Sequence, residues 1–307
     1  MFFRLIALCG FIYFLVFAFS VSGQKPSTGF IGGIPVNLNN KELTAFHIVD
    51  LDNDGYYDLL LSFSENEKAV LGWKRNLPDS CGYGKFQLID RFREPGASRI
   101  GPYLIKSGDL DQDRLPEIII GRWYLRGLNF YHNQGDGNYS KRKVLFNSDS
   151  LVLPVSQHLP VLDFFIRDIN QDGKNDVLLV NYRSRDFPGI SRMMNNGNAV
   201  MTTGKSIRQS NPHESLSLRL KDLNDDRYPD ITAVSHNHST ISKNTSGDTF
   251  QRIKELDHTG DNVVIADFNY DNKRDMILHS RDQSGSSRLI YYRSMGAFQY
   301  ETDTILP

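Results

Sequence analysis

Cysteine is nearly missing from this chain, with two in 307 residues. That excludes a small domain held by a disulfide framework and a zinc site built from thiolates. An excess of either charge is missing too. Lys and Arg number 35 against 36 Asp and Glu, a net charge of −1, without the basic surplus of a dedicated nucleic-acid binder. Past the N-terminus no stretch approaches the ~18 apolar residues of a membrane helix. Two catalytic signatures are also lacking, the Gly-x-Ser-x-Gly nucleophile elbow and the His-Glu-x-x-His zinc pair. What is left is a foldable mixture, 39% hydrophobic, 11% aromatic and 23% charged, and not the composition of a disordered chain.

The N-terminus reads as an export signal. Arg4 precedes an apolar stretch from Leu5 to Phe19, interrupted only by Gly10, and Val21-Ser22-Gly23 supplies the small residues of a cleavage site. The expectation is a signal peptide over 1–23, an extension over 24–40, and a secreted product; an uncleaved signal anchor is the rival reading. Cleavage removes Cys9 and leaves Cys81 alone, either buried or open to an intermolecular bridge. Three Asn-x-Ser/Thr sequons, at Asn138, Asn237 and Asn244, fit export and mark candidate glycosylation sites.

Residues 41–307 repeat one pattern five times. Its copies are Asp50-Leu-Asp52-Asn-Asp54-Gly55-Tyr-Tyr-Asp58, Asp109-Leu-Asp111-Gln-Asp113-Arg-Leu-Pro-Glu117, Asp168-Ile-Asn170-Gln-Asp172-Gly173-Lys-Asn-Asp176, Asp222-Leu-Asn224-Asp-Asp226-Arg-Tyr-Pro-Asp230 and Asp267-Phe-Asn269-Tyr-Asp271-Asn-Lys-Arg-Asp275. Positions 1, 3, 5 and 9 always carry a side-chain oxygen, and they hold 17 of the 36 carboxylates. So many like charges in nine residues repel unless a cation neutralises them. Calcium, which takes six to eight oxygen ligands, is the ion this spacing suits. The alternative for any single copy is a turn held by side-chain-to-backbone hydrogen bonds. Arg114 and Arg227 stand where position 6 usually has glycine, so the second and fourth loops are expected to be the weakest. Position 12 is apolar in every copy (Leu61, Ile120, Leu179, Ala233, Leu278), which rejects the EF-hand with its bidentate Glu.

Short apolar runs flank the loops, such as Leu59-Leu-Leu61, Val177-Leu-Leu-Val180 and Ile231-Thr-Ala-Val234. They suit strands buried on both faces. A third run and a Gly-containing turn follow in each repeat, as at Asn133–Gly137 and Asn195–Gly197, and then a fourth strand. Four strands per 45 to 59 residues, the spacing of the copies, is the arithmetic of a propeller blade. The predicted fold is an all-β propeller of about five four-stranded blades, with a partial array that dimerises as the alternative.

The loops, together with turns such as Asn244-Thr-Ser-Gly247-Asp-Thr-Phe250, resemble the FG-GAP/VCBS repeat family, whose best-known member is the propeller of integrin α-subunits. No Phe-Gly…Gly-Ala-Pro signature stands clearly in any repeat, so the chain resembles the VCBS branch more closely. The resemblance implies one Ca²⁺ per loop, held by positions 1, 3, 5 and 9 and by the carbonyl at position 7. In this chain those carbonyls belong to Tyr56, Leu115, Lys174, Tyr228 and Lys273.

The functional expectation is a secreted, calcium-binding, non-enzymatic adhesion or ligand-binding module for an extracellular protein or glycan. An extracellular carbohydrate lyase or hydrolase is the alternative, and a calcium-stiffened spacer a third reading. Neither nucleic acid nor, after signal cleavage, a membrane span is expected. Without residues 1–23 the formal charge is −2, and five Ca²⁺ would bring it to +8, favouring acidic partners. Lys141-Arg142-Lys143, Arg183 and Arg185 are candidate contacts, against the plainer reading of a solvated edge. Trp73, Trp123 and Tyr124 are candidate sugar platforms, against ordinary core packing. His236 and His238 are a metal pair lacking the third ligand of a catalytic zinc.

Overall fold

The structure is a computed structural model describing residues 41–78, 82–93, 104–121, 127–147, 161–181, 190–203, 217–247, 249–281 and 286–306. The expected signal peptide and extension, Cys81, Trp123, Tyr124, Arg183 and Arg185 lie outside the described residues. Among the described residues every regular element is a β-strand, and no helix is long and apolar enough to cross a membrane. The chain divides into two compact units, residues 1–102 and 103–307.

The first unit contains one four-stranded antiparallel sheet. Strands β1 (Glu42–Val49), β2 (Asp58–Glu65), β3 (Lys68–Lys74) and β6 (Gln87–Phe92) pair in chain order. A small hairpin of β4 (Asn76–Leu77) and β5 (Gly82–Tyr83) interrupts the path before β6. The second unit contains four sheets of the same plan. The first is β7 (Leu104–Gly108), β8 (Glu117–Gly121), β9 (Gly127–Tyr131) and β10 (Lys143–Asn147). Next come β11 (Val161–Arg167), β12 (Asp176–Asn181), β13 (Ile190–Asn195) and β14 (Met201–Thr203). They are followed by β15 (Ser217–Lys221), β16 (Asp230–Val234), β17 (Ser239–Asn244) and β18 (Phe250–Glu255). The last are β19 (Asn262–Ala266), β20 (Asp275–Arg281), β21 (Ser287–Gly296) and β22 (Gln299–Leu306).

The second strand of each sheet is where the apolar runs fall; β2, β8, β12 and β16 are buried on both faces along most of their length, and β20 only at Asp275, Met276 and Leu278. Alternation explains how one strand fills two cores. In β12, Val177 and Leu179 join a cluster with Leu110, Ile119, Leu128 and Phe164, whereas Leu178 and Val180 join one with Ile169, Ile190, Leu218 and Ile231. Successive side chains of a strand point to opposite faces, so the sheet holding β12 is glued to the sheet before it and the sheet after it within this unit. A third cluster, including Val234, Ile241, Val263, Leu278 and Tyr292, repeats this between the last two sheets. Trp73 is 2% exposed inside β3, which corrects the sugar-platform reading for this residue.

Register puts the loops at equivalent places. The last residue of the first strand pairs with position 9 in all five sheets: Val49 with Asp58, Gly108 with Glu117, Arg167 with Asp176, Lys221 with Asp230 and Ala266 with Asp275. Each loop therefore spans the same gap at the same end of its sheet.

At the other end β2 and β3 are joined by Asn66-Glu67, both at positive φ (50° and 58°), the requirement of a type I′ hairpin turn. Glycine carries no Cβ penalty there, and the exposed Glu67–Arg93 ion pair contributes little. Glu67→Gly is expected to stabilise the protein by about 0.5–1 kcal/mol in denaturant melts; a loss would contradict the turn assignment.

Candidate functional site

The five loops share one hydrogen-bond scheme, built from the acidic residues singled out in the sequence. The carboxylate at position 1 accepts the N–H of position 6: Asp50 from Gly55 (2.8 Å), Asp109 from Arg114 (3.0 Å), Asp168 from Gly173 (3.0 Å), Asp222 from Arg227 (2.7 Å) and Asp267 from Asn272 (2.8 Å). Position 5 accepts the N–H of position 7, so Asp54, Asp113, Asp172, Asp226 and Asp271 hold Tyr56, Leu115, Lys174, Tyr228 and Lys273 at 2.8–3.0 Å. These short side chains close the turn on themselves.

Closing it demands left-handed backbone at positions 4 and 6. Position 6 has φ of 88° at Gly55, 83° at Gly173 and 64° at Asn272, and also 74° at both Arg114 and Arg227. The two arginines thus do not change the turn; they carry its strain, roughly 1–2 kcal/mol for a residue with a Cβ. The backbone basis for singling out the second and fourth loops is accordingly weaker than the sequence suggests.

Position 9 does something different. Asp58, Glu117, Asp176, Asp230 and Asp275 are all 0% exposed. One oxygen of each accepts the N–H of position 2, from Leu51, Leu110, Ile169, Leu223 and Phe268 at 2.7–3.2 Å. The other accepts an N–H at or near the end of the third strand, from Asn76, Asn133, Asn195, Asn244 and Ser294. The residue is a pin between the loop and the third strand. Burial pushes the carboxyls of Asp58, Asp176 and Asp230 up to about 6, and that of Glu117 to about 7.

In the second unit amide side chains tie loops to neighbouring sheets. Asn195 Nδ2 donates to Leu110 O (2.7 Å), Asn244 Nδ2 to Ile169 O (3.0 Å) and Asn175 Nδ2 to Asp109 O (2.8 Å). Gln112 Nε2, at position 4, donates to Gly173 O of the following loop (3.0 Å). This use of Asn244 corrects the third sequon: the side chain is fully buried and its amide nitrogen is already engaged, so the folded chain has no room for a glycan there. Asn138 and Asn237 are exposed.

The acid clusters have donor sets that fit a hard cation. Ligand oxygens of Asp50, Asp52 and Asp58, and of Asp109, Asp111 and Glu117, lie within 4.8 Å of one another. Asp52 Oδ1 and Asp168 Oδ1 are buried without a hydrogen-bond partner, which is costly for a carboxylate unless a cation meets it. Three loops already have a basic side chain over them. Arg75 reaches Asp52 and Asp54 (2.7 and 2.9 Å), Lys243 reaches Asp226 (3.1 Å) and His132 reaches Asp111 (3.0 Å). The third loop has Met194 at that place and only the more distant Lys174, 3.6 Å from Asp172. In the last two loops Asn224 and Asn269 donate from Nδ2 to the position-5 carboxylate. His238 pairs with Glu255, and among the described residues neither it nor His236 joins a three-residue metal cluster. Sequence reading passed over the exposed aromatics of the loops themselves, Tyr57 at 66% and Tyr270 at 90% exposed; their place in loops and not in strands was the available signal.

No family model and no curated protein matches the chain. Among solved structures it is similar to an Agrocybe aegerita lectin that recognises non-reducing terminal N-acetylglucosamine, with 14% identity and a TM-score of 0.61 over 85% of this chain. The match spans 65% of the lectin chain. It is also similar to an exotype rhamnogalacturonan lyase, with 14% identity and a TM-score of 0.49 over 87% of this chain and 40% of the lyase. At such identity the lectin match shows the fold alone, a propeller-like all-β architecture.

Two outcomes test this site. In EDTA the raised position-9 carboxyls bind protons that the unfolded chain releases near pH 4, so their stabilising contribution is complete below that pH. It is lost as pH rises through 6 to 7. The metal-free protein should therefore melt at a lower temperature at pH 8 than at pH 5, and Asp176→Asn should flatten the difference. Arg114→Gly and Arg227→Gly should each stabilise by about 1 kcal/mol in chemical denaturation; a loss would mean that the arginines relieve the turn in another way.

Proposed function

We propose that this protein is an exported, calcium-loaded propeller of about five blades, of the FG-GAP/VCBS type, that binds an extracellular glycan or protein without catalysing a reaction. The observation that carries the reading is the pair of buried, unpartnered carboxylate oxygens, Asp52 Oδ1 and Asp168 Oδ1, the first of them in a loop where the carboxylates of Asp50, Asp52 and Asp58 converge. Positions 1, 3, 5 and 9 and the carbonyl at position 7 would hold the ion. Calcium would supply positive charge to the carboxylates and stiffness to the turn.

The rest of the loop chemistry supports the same reading. Each loop is preformed by its own N–H bonds, so an arriving ion needs little further ordering. Arg75 and Lys243 partly neutralise the first and fourth loops and compete with a metal there, which ranks the third loop as the tightest. Loops carry recognition on a rigid β scaffold, and Tyr270, 90% exposed beside the fifth loop, is an aromatic face of the kind that stacks on sugar. The lectin's ligand makes terminal N-acetylglucosamine the first glycan to try.

Thermal melts in EDTA and across a calcium titration test the metal. Each independent site filled at about 100 times its Kd adds about 2.7 kcal/mol, so the melting temperature should climb with calcium and respond far less to magnesium. Asp168→Asn should remove part of that rise. Glycan binding should appear in calcium and vanish in EDTA, and Tyr270→Ala should weaken it with the melting temperature unchanged. A flat calcium titration would refute the metal reading, and turnover of polysaccharide would favour an enzyme.

A further inference from the structure

The five sheets place four residue types at one equivalent position, immediately before the N–H that grips the position-9 carboxylate: Arg75, His132, Met194, Lys243 and Arg293. Two of these are shown as fixed cations on loop acids, Arg75 on Asp52 and Asp54 and Lys243 on Asp226. Neither an ammonium nor a guanidinium can ligate a metal at neutral pH. An imidazole can, and His132 is the only one of the five residues that carries it.

His132 meets the loop in an unusual way. Its Nδ1 lies 3.0 Å from Asp111 Oδ2 and 3.2 Å from Glu117 Oε1, so one ring nitrogen faces two carboxylates. Position 9 is also altered in this copy alone, with Glu where the others have Asp. The longer side chain changes what its outer oxygen does. In the other four loops that oxygen is held by the third-strand N–H at 2.8–2.9 Å. Glu117 Oε1 keeps only a 3.4 Å contact to the Asn133 N–H and turns instead towards His132. A fully buried carboxylate oxygen thus keeps only a long hydrogen bond to its backbone amide and faces an imidazole as well.

We infer that the second loop is a mixed nitrogen–oxygen site for a divalent first-row transition ion, of which zinc is the type, and not a calcium site like its neighbours. His132 Nδ1, Asp111 Oδ2 and Glu117 Oε1 are its ligands, and ligand atoms of Asp113, Asp111 and His132 lie within 4.8 Å of one another. Atoms bound at about 2.0–2.1 Å to a tetrahedral ion stand about 3.3 Å apart, close to the separations here. Calcium takes oxygen ligands and gains nothing from an imidazole, whereas zinc and its neighbours favour one. The inference rests on the acidic loops being cation sites but needs none of the other four to bind calcium.

The test is titration of the metal-free, signal-free chain with Co²⁺ as a spectroscopic probe, followed by Zn²⁺ competition. Wild type should take up one equivalent of Co²⁺ with visible d–d bands, displaced by stoichiometric Zn²⁺ and resistant to excess Ca²⁺. His132→Gln should abolish the bands and weaken Zn²⁺ binding beyond the roughly 10–100-fold that losing an outer partner costs. It should leave the calcium-dependent rise in melting temperature intact. Glu117→Asp, which restores the residue the other loops use, should lose the Co²⁺ signal and keep the fold. Absence of stoichiometric Co²⁺ uptake by wild type overturns the inference, as does an unchanged spectrum in a folded His132→Gln. A flat calcium titration beside a normal Co²⁺ spectrum would sink the calcium reading and leave this one standing.

Discussion

A buried carboxylate at the head of each second strand is the constraint on which the rest depends. It has to satisfy an N–H from the loop and an N–H from the third strand at once. Because it is removed from water, losing either partner costs more than an exposed hydrogen bond would return. That one residue fixes where the loop begins, where the third strand ends, and where the other three oxygens of the loop stand. The same burial raises the carboxyls of Asp58, Asp176 and Asp230. The register of the sheet and the geometry of the acidic loop are thus two consequences of one placement.

The second unit couples its loops through amides. Asn195, Asn244 and Asn175 hold loop carbonyls of the preceding sheet, and Gln112 reaches the loop that follows. A change in one loop therefore meets hydrogen-bonded neighbours and not only solvent. Where sheets meet, alternate residues of a strand such as β12 feed the clusters on its two sides, so these loops sit on a scaffold with little freedom to shift.

Much of this was legible in the residues. The copies of the loop stand out because position-specific carboxylates are rare by chance, and the apolar runs after them suit strands buried on both faces. Strand positions followed, as with Val177–Val180 inside β12 and Ile231–Val234 inside β16. Other features were not legible. Arg114 and Arg227 looked disruptive because propensity weighs a residue alone, yet the N–H bonds around Asp109 and Asp222 hold them left-handed. Asn244 read as a glycan acceptor because a sequon carries no information on burial. Trp73 read as a possible platform for the same reason.

The sequence by itself determined the all-β class, the five-fold repeat and the list of oxygens, because alternation, spacing and charge density are local properties. Only the tertiary structure decided which of those oxygens are already spent on backbone amides and which stand buried without a partner. It alone set Arg75, Lys243 and His132 over their loops, since those residues lie 15 to 23 positions from the acids they meet and reach them only once the third strand pairs with the second. The physical reason is the pairing register: it converts a distance along the chain into a contact across a turn.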